Sequence, residues 1–598
     1  HQDPTTICHP PMPNPMFSSA LAFQSCHPTS LSSSLSLPTG SFLPFHSSIS
    51  SLPFIHPPSP PTSLFLMNPA MEDQQVDVVI IGAGASGLRC ASNLLKDSGN
   101  KLSIKILEAR DRIGGRIHTV TESTIDRTSH NQIFFPRDLG AAWLHGTGLT
   151  VEDEQNPMLM LLEKATPPGE SVVDYHLAPI FDGNAWTRPD TVLHKAGRIA
   201  LFRNGKRIPN NSPDVIKSIQ RHYQIEREIA EHANHLYETG QGMQTVHTSI
   251  AQARAMVTRS TEPAKEDNHN PAHDDHSESW DSDLVPFYSF LFENWNGLSE
   301  TDLQWSFLDL PERPMKTDEH YVDEGDYEGP HCKLKHGMKS VLEPLYNDVA
   351  GHLCLNEQVA KISRIDPRHV LIETLSGTVI ESKCCISTIP LGCLQQHHSK
   401  LFQPSLDVET TEAIQSISAG FYKKVFLTFD HIFWPTDEPL LGLIRSDDRA
   451  DQLGKYLLVY NVWAKDSIPC IEACLCGNNG KWAYGKSDEE IRNAVLKFLE
   501  DALGMQGLAS QCLACHVTRW EEDPLTLGSY SSFHLGTLER HVDKLQEAHW
   551  DGDLIFAGEF TESGDMGSVQ AALMSGDRAA SLALQTLQSL PKEAVLLH

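Results

Sequence analysis

The 598-residue chain lacks any uncharged apolar run approaching ~18 residues, so no segment reads as a membrane-spanning helix. Basic charge is also scarce: 47 Lys and Arg stand against 77 Asp and Glu, a formal net charge of −30. Tracking nucleic-acid phosphates needs a basic footprint, and a polybasic membrane anchor needs clustered Lys and Arg. The balance argues against both. An acidic field can draw cationic partners, although solubility alone accounts for most such charge. The shortage is most extreme at the start. Residues 1–70 hold no Lys or Arg and one acid, Asp3, but 15 Ser and 14 of the 37 Pro. Such a segment cannot bury enough apolar surface to offset its ordering entropy, which predicts a disordered extension over 1–70. A transit peptide would share the Ser content but be rich in Arg. The last residues, Ala594 to His598, form no peroxisomal Ser-Lys-Leu signal, so cytoplasm is the default expectation.

The thirteen cysteines are scattered and odd in number, which in a long chain suits reduced thiols better than a disulfide framework. Cys512-Leu-Ala-Cys515-His516 matches the pattern of c-type haem attachment. It runs into Val517 as a core-bound strand would, and is read as structural; Cys474-Leu-Cys476 is read the same way. His269, His273 and His276 lie beside Asp274 and Asp275 in the polar stretch 261–283. That stretch is expected to be a solvated insertion without a packed shell to fix a metal, and no metal site is predicted.

A nucleotide-binding signal follows at once. Val76 to Ile81 is a nearly continuous β-branched run, as in a strand buried on both faces. It enters Gly82-Ala83-Gly84-Ala85-Ser86-Gly87, after which Leu88, Cys90, Ala91, Leu94 and Leu95 mark an apolar helix face. Gly82 permits a tight turn, Gly84 lets backbone approach a pyrophosphate, and Gly87 lets the helix pack on the strand. Ala85 and Ser86 open the helix, whose free N–H groups favour phosphate. A second strand, Ser103 to Leu107, ends at Glu108, 26 residues after Gly82, where a carboxylate can accept the ribose hydroxyls. Strand, turn, helix, strand and acid agree in order and spacing, and predict dinucleotide binding.

The continuation, Glu108-Ala-Arg110-Asp-Arg-Ile-Gly-Gly-Arg116, is foreign to simple nicotinamide dehydrogenases. From about residue 76 to 590 the sequence resembles the flavin-dependent amine oxidase family, most of all its polyamine oxidases. The resemblance implies non-covalent FAD, because Ser529 stands where some relatives carry a Cys linked to flavin. It places Arg110 and Arg116 near the cofactor, with Arg116 beside the pyrophosphate. Gly140, Ala141, Ala142 and Trp143, within Asp138 to Gly146, would pass beside the flavin ring. Val359 would contact adenine through its backbone, and Ile386 to Gly392 would close the cofactor layer. Trp520 would line the flavin and Glu559 would meet its ribityl or pyrophosphate part. Ser568 and Val569 would begin the last helix, with the Val569 N–H offered to the ring.

The same resemblance assigns three reactive roles. Lys424 would hold a water near flavin N5, while its neighbour Lys423 should face the other side of the strand and reach the surface. His145, in Trp143-Leu-His145-Gly146, would hydrogen-bond a substrate amine at the cavity entrance as an imidazole titrating near neutrality. Tyr530, in Gly528-Ser-Tyr530, would form one aromatic wall for the amine. Ser568 replaces a second wall, leaving half the cage open for a bulkier or secondary amine. Phe560 stands where His is common, and Asp565 could meet a distal ammonium or cap a turn.

The implied fold class is α/β: a Rossmann-like FAD-binding domain of glutathione-reductase type over 74–165, 325–405 and 512–598, with a discontinuous α+β substrate domain over 166–324 and 406–511. The implied reaction moves a hydride from the carbon beside a polyamine nitrogen to flavin. Water then gives an aldehyde and a shorter amine, and O2 yields hydrogen peroxide. A histone-lysine demethylase would use the same fold and Lys but ordinarily adds a chromatin domain and a long helical hairpin, of which the sequence shows no sign. A flavoprotein used only for binding or regulation is the alternative of another class.

Overall fold

A computed structural model describes residues 74–125, 132–149, 155–181, 199–209, 211–261, 281–305, 327, 329–446 and 453–589. The expected extension 1–70 and the histidines at 269, 273 and 276 lie outside these residues. Two sheets dominate a mixed α/β architecture.

The first sheet has nine strands and grows around Gln74–Ile81. Val78, Val79 and Ile80 are all fully buried, as the β-branched run predicts for a strand covered on both faces. It pairs in parallel with Ile104–Leu107 on one side and Val379–Ser387 on the other, and the latter pairs in parallel with Leu554–Phe556. Helices Ala85–Asp97 and Val569–Gln588 pack on one face through Leu88, Leu94, Leu573 and Ala580. The two helices approach so closely that a Cβ on Gly576 would lie 2.6 Å from the Ser86 carbonyl oxygen. Val79, Ile81, Ile372 and Phe556 form the core of the opposite face with Ala413, Ile414 and Val542.

The second sheet runs Cys512–Val517, Tyr422–Phe429, Cys470–Cys476, Tyr456–Tyr460, Leu440–Ile444, Ile199–Arg203, Lys206–Ile208. Helix Asp488–Leu503 covers one face with Ile491, Val495 and Phe498. A reciprocal Ser487–Glu490 cap starts that helix, and Gly504 ends it in the left-handed conformation. Helices Pro213–Glu238 and Asp281–Asn296 cover the other face through Val215, Ile219 and Phe287.

Three sequence expectations about organisation change. Cys512–Val517 hydrogen-bonds to Tyr422–Phe429 in the second sheet, so 512 does not begin the part built on the first. Ala413, Ile414 and Ile417 belong to the first sheet's core, so the crossing comes after 417 rather than at 406. Of the stretch 261–283, residues 262–280 lie outside the described residues, and its last residue is not solvated. Asp283 is buried in the first turn of its helix and paired with Arg203 at 2.7 Å and with Lys455. The polar composition of the stretch concealed these ion pairs. All eleven cysteines among the described residues are free, and both cysteine motifs lie on strands, 474–476 fully buried and 512–516 partly exposed. No helix among the described residues is long and apolar enough to cross a membrane.

Candidate active site

A cavity of about 1000 Å³ receives residues from both sheets. At the end of Gln74–Ile81 the chain turns through Gly82, φ +104°, where a side chain would collide with Thr388 Oγ1 at 2.4 Å. Gly87 meets the turn on its inner side, since a Cβ there would sit 2.1 Å from the Gly82 carbonyl oxygen. Gly84 has nothing within 4 Å of where its Cβ would be, so its backbone is open to the cavity. The tight turn at Gly82 and the close packing at Gly87 are as the motif predicts. Glu108 closes this end: its Oε2 accepts from the Ala83 N–H at 2.8 Å and its Oε1 from the Arg110 N–H at 2.9 Å. Ala85, Ser86, Arg110 and Val359 also line the cavity, whereas Gly87 only packs.

Toward the middle, Arg116 donates to Glu559 Oε1 at 2.7 Å and to the Ser529 carbonyl oxygen at 3.0 Å. Arg110 pairs with Asp523 at 2.9 Å. Gly140 passes Arg116 so tightly that a Cβ would lie 1.7 Å from its carbonyl oxygen. Trp520 is fixed by its indole N–H, which donates to the Leu139 carbonyl oxygen at 2.9 Å. Ala141, Ala142 and Trp143 continue the wall. Ser568 caps the last helix, accepting from the Ala571 N–H at 3.0 Å, so the N-terminus of Val569–Gln588 opens on the cavity like that of Ala85–Asp97.

Of the three side chains expected to react, Lys424 comes from the second sheet, and His145 and Tyr530 come from loops. Strand alternation sends Lys424 into the cavity, where its Nζ donates to the Asp138 carbonyl oxygen at 3.0 Å. Lys423 does face the other way, but it is not a surface residue. It is 0% exposed and paired with Glu521 and, at 2.7 Å, with Glu522. The far face of this strand is packed too, which alternation alone cannot show. His145 lines the cavity and its Nδ1 lies 3.0 Å from His331 Nδ1. Burial, with His331 and Lys333 nearby, pushes its pKa down to about 3, so it does not titrate near neutrality and stays neutral.

Tyr530 lines the cavity, its hydroxyl donating to the Asn294 carbonyl oxygen at 3.0 Å. Further rings join it, with Ser568 still in the lining. Tyr422 stands 5.7 Å from Tyr530, and Tyr460 stands 5.4 Å from Trp143, all four lining the cavity. Tyr422 was legible, because it is two residues before Lys424 and so on the same strand face. Glu472, 3.4 Å from Lys424 Nζ, also left a trace as one acid inside an apolar strand. Lys333 and Tyr460 left none.

The family described as flavin containing amine oxidoreductase matches residues 85–584. The chain belongs to that family. It is 26% identical over 511 residues to probable polyamine oxidase 4 of Arabidopsis thaliana, covering 84% of this chain and 86% of that one. Polyamine oxidase 5 of Oryza sativa subsp. japonica is 27% identical over 521 residues with the same coverage. Lysine-specific histone demethylase 1 homolog 3 of Arabidopsis thaliana is also 27% identical, over 536 residues, but this chain spans only 30% of its length. A solved structure of putrescine oxidase with putrescine bound shares the fold at 17% identity, with a TM-score of 0.57 over 86% of this chain and 99% of that one. Family membership implies a flavin, and the cavity fits one. Open backbone at Gly84, the carboxylate of Glu108 and two helix N-termini suit a phosphate-bearing cofactor, and Trp520 suits a flat ring.

Proposed function

We propose that this amine oxidoreductase binds FAD non-covalently and oxidises polyamines, with O2 as acceptor. In this reading the first sheet and its glycine turn are a Rossmann-like layer of glutathione-reductase type, and the second sheet supplies Lys424, Tyr422 and Tyr460, with loops adding Trp143, His145 and Tyr530. A bound flavin supplies the hydride acceptor. Glu108 accepts ribose hydroxyls, the helix starting at Ala85 faces the pyrophosphate, and Arg116 offsets phosphate charge. Ser529 offers no thiol for a covalent link, which supports non-covalent binding. Lys424 holds water by donating its N–H groups. Tyr422, Tyr460, Tyr530 and Trp143 exclude bulk water and hold an amine by its alkyl chain, and the Tyr422 and Tyr530 faces also favour a distal ammonium. Neutral His145 accepts or donates one hydrogen bond to a substrate nitrogen without adding charge.

The observation that carries this reading is Lys424 buried in the wall of a cavity also lined by Tyr422, Tyr460, Tyr530 and Trp143. The polyamine oxidases among the relatives support the substrate class. The test is an amine panel on the purified yellow protein. Spermine, spermidine or their acetylated forms should bleach the flavin anaerobically and release peroxide in air. Turnover of methyl-lysine peptides without any polyamine would overturn the substrate class, and inertness to every amine would leave a binding protein. Acid precipitation should free FAD into solution; a yellow pellet would overturn non-covalent binding.

A further inference from the structure

Two charged side chains behind the cavity take no part in the reaction proposed above. Lys333 lies on the strand His331–Leu334, and Glu472 in the middle of Cys470–Cys476. The cavity wall touches both. Glu472, 1% exposed, faces two ammonium groups, Lys424 at 3.4 Å from Oε1 and Lys333 at 3.9 Å from Oε2. The Lys333 ammonium lies over the Trp143 ring, 4.2 Å from its centroid, and 5.9 Å from the centroid of Tyr460. Both rings line the cavity.

An aromatic face attracts an ammonium through its quadrupole. A ring already covered by one ammonium attracts a second less, and the positive potential of Lys333 reaches through a medium that screens it poorly. A substrate nitrogen against such a wall gives up its proton more readily than in water. Oxidation at the adjacent carbon needs that nitrogen unprotonated, with its lone pair free.

We propose that Lys333, held by Glu472, is a positioning residue that makes the Trp143 wall select the neutral form of the reacting nitrogen. This rests on the amine-oxidase reading. The groups facing Lys333 are Glu472 and Cys474 from one strand, Lys424 from the next, and Asp138 from the strand Gln132–Asp138. His145 also feels its charge. His145 is neutral at working pH and burial drives the Cys474 thiol up, so neither mimics a titration near neutrality. Burial lowers Lys333 itself to about 8, which leaves the ammonium in place at pH 7 and removes it above pH 8.

The test uses flavin-loaded protein and tetramethylammonium, a cation with no proton to lose, followed by its perturbation of the flavin spectrum. Lys333→Met should bind it about 3- to 10-fold more tightly at pH 7 than the wild type does. Glu472→Gln should bind it more weakly, and the double variant should return toward the wild type. Wild-type affinity should rise as pH passes 8, whereas that of Lys333→Met should not. With an oxidised amine, the acid limb of anaerobic flavin bleaching should move to higher pH in Lys333→Met. Lys333→Gln, which keeps a polar end beside Glu472, serves if the Met variant loses flavin. Unchanged cation affinity and an unmoved acid limb in a flavin-replete variant would overturn the proposal. A wild type that oxidises no amine would instead overturn the functional reading beneath it.

Discussion

Adjacent lysines do different work because a strand gives them different neighbours. Lys424 meets a carbonyl, the Glu472 carboxylate and open cavity, while Lys423 is enclosed with two other carboxylates on the opposite face. The sequence distinguishes the faces but not what covers them, so only one of the two environments was legible. A further buried acid shows how burial converts into pH dependence. Glu293, on helix Asp281–Asn296, accepts the Glu300 N–H at 3.1 Å, and desolvation, with the Glu300 charge adding, raises its pKa from 4.5 to about 7. The folded state therefore holds a proton that the unfolded state releases. Its contribution is complete below about pH 4.5 and is lost as pH rises through about 7, a span worth up to ~3 kcal/mol. Glu293→Gln should unfold at higher urea than the wild type at pH 8, with the gap closing toward pH 5. A gap that is constant with pH would show that Glu293 does not titrate in this window.

At the scale of elements, what was legible is what chain-local chemistry dictates. The turn from Gln74–Ile81 into Ala85–Asp97 was readable because Gly82, at φ +104°, and Gly87, against the Gly82 carbonyl oxygen, answer constraints within the turn itself. The cage was less readable, because Tyr460 and Trp143 meet only through the pairing of distant strands and loops. Lys333 reaches Glu472 across 139 positions of sequence, with no pattern in either segment to announce it. Boundaries failed for the same reason: Cys512–Val517 joins the second sheet by hydrogen bonds to Tyr422–Phe429, which its composition does not encode. Gly140 tests how strictly one crossing is fixed. A Cβ there would lie 1.7 Å from the Arg116 carbonyl oxygen and 3.2 Å from Trp520 Cζ2, so backbone must move. Overpacking of this kind costs about 1–3 kcal/mol, and here the displaced backbone carries Arg116. Gly140→Ala should purify with much less flavin per protein at near-normal helicity, as read by absorbance and circular dichroism. Full flavin occupancy would mean that the crossing yields without disturbing the cofactor.

For the whole molecule, the charge of −30 matters only if it reaches the substrate before binding does. The cavity itself is not simply acidic: Lys424, Arg116 and Arg110 line it together with Glu108, Glu559 and Asp565. Attraction of a polycation therefore belongs to the outer field, which salt screens over a Debye length of about 10 Å at 0.1 M. Contacts with Tyr422, Tyr530 and Trp143 lie inside and are largely unscreened. The two contributions separate kinetically, since steering acts on encounter and the aromatic walls act on the bound amine. Raising ionic strength should lower kcat/KM for a tetraamine by about 3-fold or more while leaving kcat unchanged, because screening acts mainly on association. A monoamine oxidised by the same protein should respond much less, its single charge gaining less from the field. Equal salt responses for the two amines would assign the acidic surface to solubility alone, and would leave recognition entirely to the cavity.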